Sequence, residues 1–545
     1  MTGHLARRLA LGAVLGAAAL VSPVTPLRAH AIAPLAFGPA LKLPASDGGT
    51  EPRVAVTPNG HHFVASNSGG TMAVYESDDG LTNWHKTATS PVGQTTLATI
   101  DVDIITTSTG RLVATELDTT GLNFRTSFSD DEGATWTAST GIGPFSGTGF
   151  VDQDRQWLAA GPGGRVYMLF HNLLSGEITH NMFVMTSTDN AATWGAPVPV
   201  TNPATSGPNP TPGSQAWQDL QCADSGGPSD LFVNPADGRV YAVWGTRSAQ
   251  TPLPVGAAGG CATSVTGNAE ANIVAATRVW IATAPQGGTT DPTQWTNSLA
   301  VDDNPTGQIV GMQLAPGAID SAGNVYVIYP ESVHGYPDYS GAAVKYVHAT
   351  QASILANPYG EVPPATNPWS AAVTVAPPST AVTAGQPGDA GHLLPHIVAA
   401  GPGQLDMAYF TGDSVAGASP NWYMTAAQTL DGLDATPTVT EVRVSTVPTY
   451  TNQTASVMMG ACTPSGVVNG FACSRSTDVW GVAIDRSGNF VVSWPGITPN
   501  SGTFVTTQTA GPAVNVGETP WAALLLVPAG AATLWAARRR RQPAG

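Results

Sequence analysis

Carboxylates and guanidiniums recur at one kind of place in this chain, the few residues leading into an apolar, alternating run. Glu51-Pro52-Arg53, Asp101-Val102-Asp103, Asp152-Gln153-Asp154-Arg155, Asp224, Asp230, His392, His396 and Asp478 all stand there. Acids predominate. Clustered carboxylates can hydrogen-bond a polyhydroxylated ligand or hold a hard cation such as calcium. The same side chains also cap turns. Asp154-Arg155 followed by Trp157 suits a charge pair that locks a loop over an indole. Other chemistries lack their residues. There is no G-x-S-x-G, no H-E-x-x-H, no phosphate-binding loop and no Cys/His cluster at metal-ligand spacing, so no cofactor other than calcium is expected. His392 and His396 lie four apart, but Pro395 stands between them, and they read as loop histidines.

The elements that follow these residues repeat one pattern. An apolar strand runs to a glycine turn and a second apolar strand returns. The turns fall at Gly60, Gly110, Gly163-Gly164, Gly238, Gly323, Gly401-Pro402-Gly403 and Gly488. Third strands are visible at Met72-Ala73-Val74-Tyr75, Met182-Phe183-Val184-Met185 and Val279-Trp280-Ile281. Only 11% of residues are charged, while Gly (61) and Pro (45) abound, as many short strands joined by turns require. The class is all-β, and repeated hairpins of this kind predict a β-propeller.

A second pattern lies outside those hairpins. Ser129, Asp131, Gly133, Thr135 and Trp136 spell S-x-D-x-G-x-T-W. Ser187, Asp189, Thr193 and Trp194 repeat it with Ala191 in the glycine place, and Ser77, Asp79 and Trp84 with the glycine moved to Gly80. Asp and Ser side chains can bond turn N–H groups, and the Trp can pack back on the sheet. The pattern resembles the Asp box, or BNR repeat, of sialidase-type β-propellers. Trp295 and Trp369 read as worn copies. Catalytic sialidases have six blades. The seven hairpins here predict seven, with six as the alternative. No boundary is evident in 32–515, and Ala40-Leu41-Lys42-Leu43 is expected to supply the outer strand of the last blade.

The resemblance also says what a sialidase needs: an arginine trio for the substrate carboxylate, a Tyr nucleophile with its Glu partner, and an Asp acid/base. Glu51 stands where the first arginine belongs, so attraction becomes repulsion unless Arg53 takes its place. No Tyr follows Tyr450, which makes it the nucleophile candidate, with Arg53, Arg155 and Arg475 as carboxylate ligands. The match is to scaffold more than chemistry. The expected function is therefore non-catalytic binding of a surface glycan or an extracellular protein at a mouth containing Glu51, Asp101, Asp103, Asp152, Asp154 and Asp478. The alternative is an exo-α-sialidase-type glycoside hydrolase. A structural module of the envelope is a third reading.

The two ends point to export. Arg7-Arg8, an apolar run from Leu9 to Val21 and Ala29-His30-Ala31 read as a signal peptide over 1–31, with a retained anchor as the alternative. A short stalk, 516–520, precedes the uncharged stretch 521–537, and Arg538-Arg539-Arg540-Arg541 opens a basic tail, 538–545. A helix of that length spans roughly 25 Å, short of a typical core of about 30 Å, and with the arginines after it reads as a membrane anchor with the tail inside, a buried core helix being the alternative. Cys222, Cys261, Cys462 and Cys473 suit disulfides in an exported protein, and Cys222–Cys261 with Cys462–Cys473 is favoured among three pairings. A net charge of -16 argues against nucleic acid, and a monomer is expected.

Overall fold

A computed structural model describes residues 33–516. Within that span it omits 69–70, 92–98, 119–122, 143–152, 173–181, 202–214, 223–227, 247–275, 303–314, 333–339, 359–366, 379–390, 416–417, 454, 459–479 and 497–500. The segment 1–31 expected to be a signal peptide, the 521–537 stretch and the basic tail lie outside the described residues, as do Asp152, Asp224, Arg475, Asp478, Cys261, Cys462 and Cys473. Of Cys222 only the backbone, at the end of the helix Gln215–Cys222, is described. Among the described residues no helix is long and apolar enough to cross a membrane.

Seven antiparallel sheets follow one another along the chain, each joined in simple sequential order. Their innermost strands are Thr50–Val56, Thr99–Thr106, Gln153–Gly161, Pro228–Val233, Gly317–Ile319, His392–Ala399 and Gly481–Ile484. Each inner strand packs beside the next, and the seventh returns to the first, so the sheets form a closed seven-bladed β-propeller. The seven blades match the seven hairpins, and six is excluded. The first turn of each hairpin depends on glycine, as at Gly60 with φ +96°.

The ring is closed by its two ends. The last long strand, Gly502–Ala510, pairs with Ala36–Phe37 and with Leu41–Lys42, in register Leu41↔Val505 and Lys42↔Phe504. Leu43 is buried with Val491 and Val505, so the segment 40–43 does supply the outer strand of blade 7. A β-edge that would otherwise stay unpaired is thereby covered. The chain after Gly502–Ala510 then docks back: Val514 N–H donates to Gly488 O at 2.9 Å. A Cβ on Gly488 would lie 2.1 Å from Val514 O, which only glycine avoids.

The core lies between blades. Met72, Val74, Ile104, Leu112 and Trp136 pack blade 1 on blade 2. Leu117, Phe124, Met168 and Phe170 do the same for blades 2 and 3, and Tyr241, Ile281, Val325 and Val347 for blades 4 and 5. Each such layer removes one apolar sheet face from water, roughly 1.5–3 kcal/mol per large side chain.

The S-x-D turns fasten these layers. They link the third and fourth strands of blades 1, 2 and 3. In blade 2, Ser129 Oγ accepts from Gly133 N–H at 2.8 Å and donates to Asp131 Oδ1 at 2.8 Å. Asp131 then accepts from Thr135 N–H (2.8 Å) and Oγ1–H (2.6 Å). Blade 3 repeats the set through Ser187, Asp189, Ala191 and Thr193, with Ala191 held at φ +64°. Blade 1 makes it one residue shorter, through Ser77, Asp79, Gly80 and Thr82. Trp136 and Trp194 are buried and Trp84 half-buried; Trp194 Nε1–H reaches back to Thr126 Oγ1 of blade 2 at 3.0 Å. Trp295 and Trp369 stand in the corresponding connections, and Trp369 Nε1–H likewise reaches blade 4 at Ser298 Oγ, 3.0 Å. Blade 6 has a related turn that the sequence reading passed over. Thr429 Oγ1–H donates to Asp431 Oδ1 (2.7 Å), which also accepts from Thr438 N–H (3.0 Å).

Candidate channel site

One place in the repeat carries most of the polar side chains of the channel. Arg53, Asp103, Trp157, Asp230, His396 and Gly481 occupy it in blades 1, 2, 3, 4, 6 and 7. They pair with Ala65, Thr115, Leu169, Val243, Ala408 and Ser493 on the second strands. In four of these blades the register shifts just before this residue, and in blade 2 it shifts one residue earlier, before Val102. Glu51, Arg155 and Leu394, each two residues upstream, adopt φ of +50°, +56° and +53°. A bulge of this kind bends the strand and re-aims the side chain that follows it. Three non-glycine residues in the left-handed region mark strain held by the surrounding fold.

Arg53, Asp103, Asp230 and His396 line a cavity of about 390 Å³ along the channel, with apolar residues such as Ile104, Phe232 and Val482 forming the rest of its wall. Arg53 Nε–H donates to Asp103 Oδ1 at 3.0 Å, and its guanidinium stacks over Trp157 at 4.9 Å. The Nη nitrogens of Arg53 make no hydrogen bond among the described residues, leaving their N–H donors to the cavity.

Asp103 and Asp230 perform the same task in different blades. Asp103 Oδ1 accepts from Ile104 N–H (2.8 Å) and Oδ2 from Leu158 N–H of the next blade (2.7 Å). Asp230 Oδ1 accepts from Leu231 N–H (2.8 Å) and Oδ2 from Gly317 N–H of the next blade (3.1 Å). Each carboxylate clasps two blades. Burial pushes the Asp230 carboxyl up to about 6, against the pull of Arg53 and of the two backbone N–H groups. Two indoles add to the girdle: Trp157 Nε1–H donates to Pro228 O at 2.9 Å, and Trp480 Nε1–H to Leu394 O at 3.1 Å.

His396 is the residue that the sequence reading misplaced. Both His392 and His396 lie on the inner strand His392–Ala399, not on a loop. Pro395 does not end that strand because it sits in the bulge. His396 is 5% exposed, its ring lies 4.4 Å from Trp480, and its Nε2 has no hydrogen-bond partner. Burial, reinforced by Arg53, drives its pKa well below the ordinary histidine value, so the ring is neutral. The sequence does hold a signal for it: Leu394-Pro395-His396 matches Glu51-Pro52-Arg53 in the same bulge.

The remaining mouth residues lie one step outward. Glu51, Asp101 and Arg155 are buried. Arg155 Nε stands 3.5 Å from Asp154 Oδ2, and His171 Nε2 3.4 Å from the same oxygen. Burial alone would raise the Asp154 carboxyl, but the His171 hydrogen bond and the Arg155 charge hold it far below the carboxylate range. The expected Asp154–Arg155 charge pair is therefore present and Trp157 is buried, but the guanidinium stacked over that indole is Arg53's. Tyr450 is 1% exposed and packs edge-on against Phe410 at 5.3 Å, and it is not among the residues lining the cavity. Among the described residues, His61, Glu76 and Asp78 are the group whose metal-ligating atoms all lie within 4.8 Å of one another, and they sit away from this cavity.

No protein-family model and no curated protein sequence matches the chain. Solved structures do. A GH93 α-L-arabinofuranosidase of Fusarium graminearum, in complex with arabinobiose, shares 10% identity over 87% of this chain and 98% of its own, with a TM-score of 0.39. The polysaccharide lyase Uly1 shares 8% identity over 88% and 100%, with a TM-score of 0.44. A GH74 xyloglucanase from Xanthomonas campestris shares 14% over 86% and 55%, with a TM-score of 0.41. Scores this low carry no argument about what the present chain binds.

Proposed function

We propose that this chain is an exported, membrane-anchored binding propeller whose channel takes the neutral end of a surface glycan. The observation that carries this reading is the state of Arg53. Its charge is committed to Asp103, and Asp230 also acts on it. Two carboxylates against one guanidinium leave no surplus positive charge for a sugar carboxylate. What the cavity offers instead are the Nη–H donors of Arg53, beside a neutral His396 whose unpartnered Nε2 is sealed from solvent. Such donors suit hydroxyls. Export rests on the signal-like segment 1–31, and anchoring on 521–537 with the four arginines after it.

The exo-α-sialidase-type reading draws support from the turns at Ser77, Ser129 and Ser187, which resemble Asp boxes in both sequence and hydrogen bonding. It requires Tyr450 and an arginine clamp at the channel, and Tyr450 packs on Phe410. A fluorogenic sialoside decides between them. The binding reading expects no release; release abolished by Tyr450→Phe would overturn it.

A further inference from the structure

The channel cavity lies on one side of the polar girdle. From the girdle its wall runs to Val233, Ile319, Ala399 and Ile484, the last residues of four inner strands. It therefore reaches the end of the channel that the glycine turns encircle. Val233, Ala399 and Ile484 keep part of their surface in water there, while Asp103 and His396 are buried. Glu51, Asp101 and Arg155, at the end where the inner strands begin, are not in the wall. That end holds apolar side chains instead. Leu220 of the helix Gln215–Cys222 and Met458 of the helix Ala455–Met458 are buried in one cluster with Trp157, Leu394 and Trp480. The same cluster fills the joint of blades 3 and 4 and that of blades 6 and 7, which are not neighbours, so it crosses the channel. The cavity is a blind pocket with the girdle as its floor, entered from the glycine-turn end.

The C-terminal chain leaves the ring at that same end. Beyond the strand Gly502–Ala510 it turns inward over the glycine turns. Val514 docks on Gly488 of blade 7, and Asn515 N–H donates to Gln404 Oε1, beside the turn of blade 6, at 2.6 Å. From Val516 to Trp521, where the stretch read as an anchor begins, the chain spans at most about 18 Å even fully extended. The rim of the pocket is thus tethered close to the anchor. The apolar surface agrees. Among the described residues Leu355, Leu430, Leu433, Val447 and Val516 are the large apolar side chains left exposed. Four of them are on the glycine-turn face. Leu355 lies on the helix Gln351–Ala356, whose Gln351 N–H donates to Gly323 O, and Leu430 and Leu433 flank Gly432, whose N–H donates to Gly403 O. Val447 alone is on the other face.

We infer that the pocket faces the membrane that holds the anchor, and that the glycan it takes is the neutral head group of a lipid in that same membrane. The inference rests on the binding reading of the channel and on the anchor at 521–537. Holding both partners on one surface raises their effective concentration, so a weak pocket suffices. The test uses the full-length chain in lipid nanodiscs. For orientation, Ser487→Cys, in the glycine turn of blade 7, and Val447→Cys, on the opposite face, each carry a donor fluorophore, and the unsubstituted chain gives the background. Both positions are exposed, so thermal midpoints should not change. Energy transfer to acceptor-labelled lipid head groups should be stronger from position 487. Equal transfer, or stronger transfer from 447, would overturn the orientation. For occupancy, hydrogen–deuterium exchange of Thr50–Val56 and His392–Ala399 is followed with a diglucosyl diacylglycerol in the same nanodisc and with the free disaccharide. The lipid should slow exchange at a total concentration about 100-fold below that of the free sugar, and Arg53→Leu, checked for folding by circular dichroism, should abolish both effects. Protection by the free sugar at the same or lower concentration would overturn the membrane source and leave the binding reading standing. Protection by neither would overturn both. A chain that does not enter nanodiscs would overturn the anchor and this inference with it.

Discussion

Single residues in this propeller sit under opposing electrical demands, and their sum is measurable. Burial raises Asp230 to about 6 and Asp406 to about 7, above the ordinary 3.8. Groups raised in the fold stabilise it below about pH 4 and lose that contribution as pH climbs through those values. Burial lowers His62, His348, His392 (to about 4) and His396 below the ordinary 6.5. These stay neutral in the fold but protonate on unfolding, so their contribution is full above pH 6.5 and lost as pH falls. Four histidines oppose two carboxyls, and below pH 4 the lowered Asp79, Asp131 and Asp189 add to acid destabilisation. The thermal midpoint should therefore rise between pH 4 and 6.5. Asp406→Asn, at a carboxyl whose Oδ2 has no partner, should steepen that rise by removing an opposing group. A midpoint flat or falling over this range would contradict the balance. At this scale the sequence was partly legible. Arg53 and the acids were found because charge interrupts an apolar pattern. His396 was misread because Pro395 signals a break, and only a bulge lets a strand keep a proline.

At the scale of elements, the hairpins were the most legible feature, since strict alternation ending in glycine has few other solutions. The S-x-D turns were equally plain. What the pattern could not give was where those turns press: each Trp packs into the joint with the preceding blade, a contact set by ring closure and not by local sequence. That placement yields graded costs. Trp136→Ala empties a buried site among Phe63, Ile104 and Leu112 and should cost about 3–5 kcal/mol. Ser129→Ala leaves the buried Gly133 N–H without its acceptor and should cost about 1–3 kcal/mol. Chemical denaturation of both variants checks the order. Equal, negligible losses would mean the turn is not part of the core. The Thr429-x-Asp431 turn escaped notice because no Trp follows it.

At the scale of the whole molecule, the blade count and the closure by Leu41–Lys42 could be read in advance, because a ring must pair its last edge with something. The channel's charge state could not, since it depends on which side chains from distant blades meet at one level. Topology makes its own prediction. If 521–537 anchors the chain, removing 519–545 should release the propeller into the medium, and a truncated form that stays with the membrane fraction would refute the anchor. The central claim concerns the channel, where Arg53 is neutralised by Asp103 while Asp230 stands by. It is tested most directly by the affinities of the purified protein for two glycans identical except for a terminal sialic acid. The uncharged glycan should bind more tightly, by about tenfold or more if one uncompensated charge costs about 1.4 kcal/mol, and Arg53→Leu should weaken it. Tighter binding of the sialylated glycan, lost on Arg53→Leu, would contradict the account.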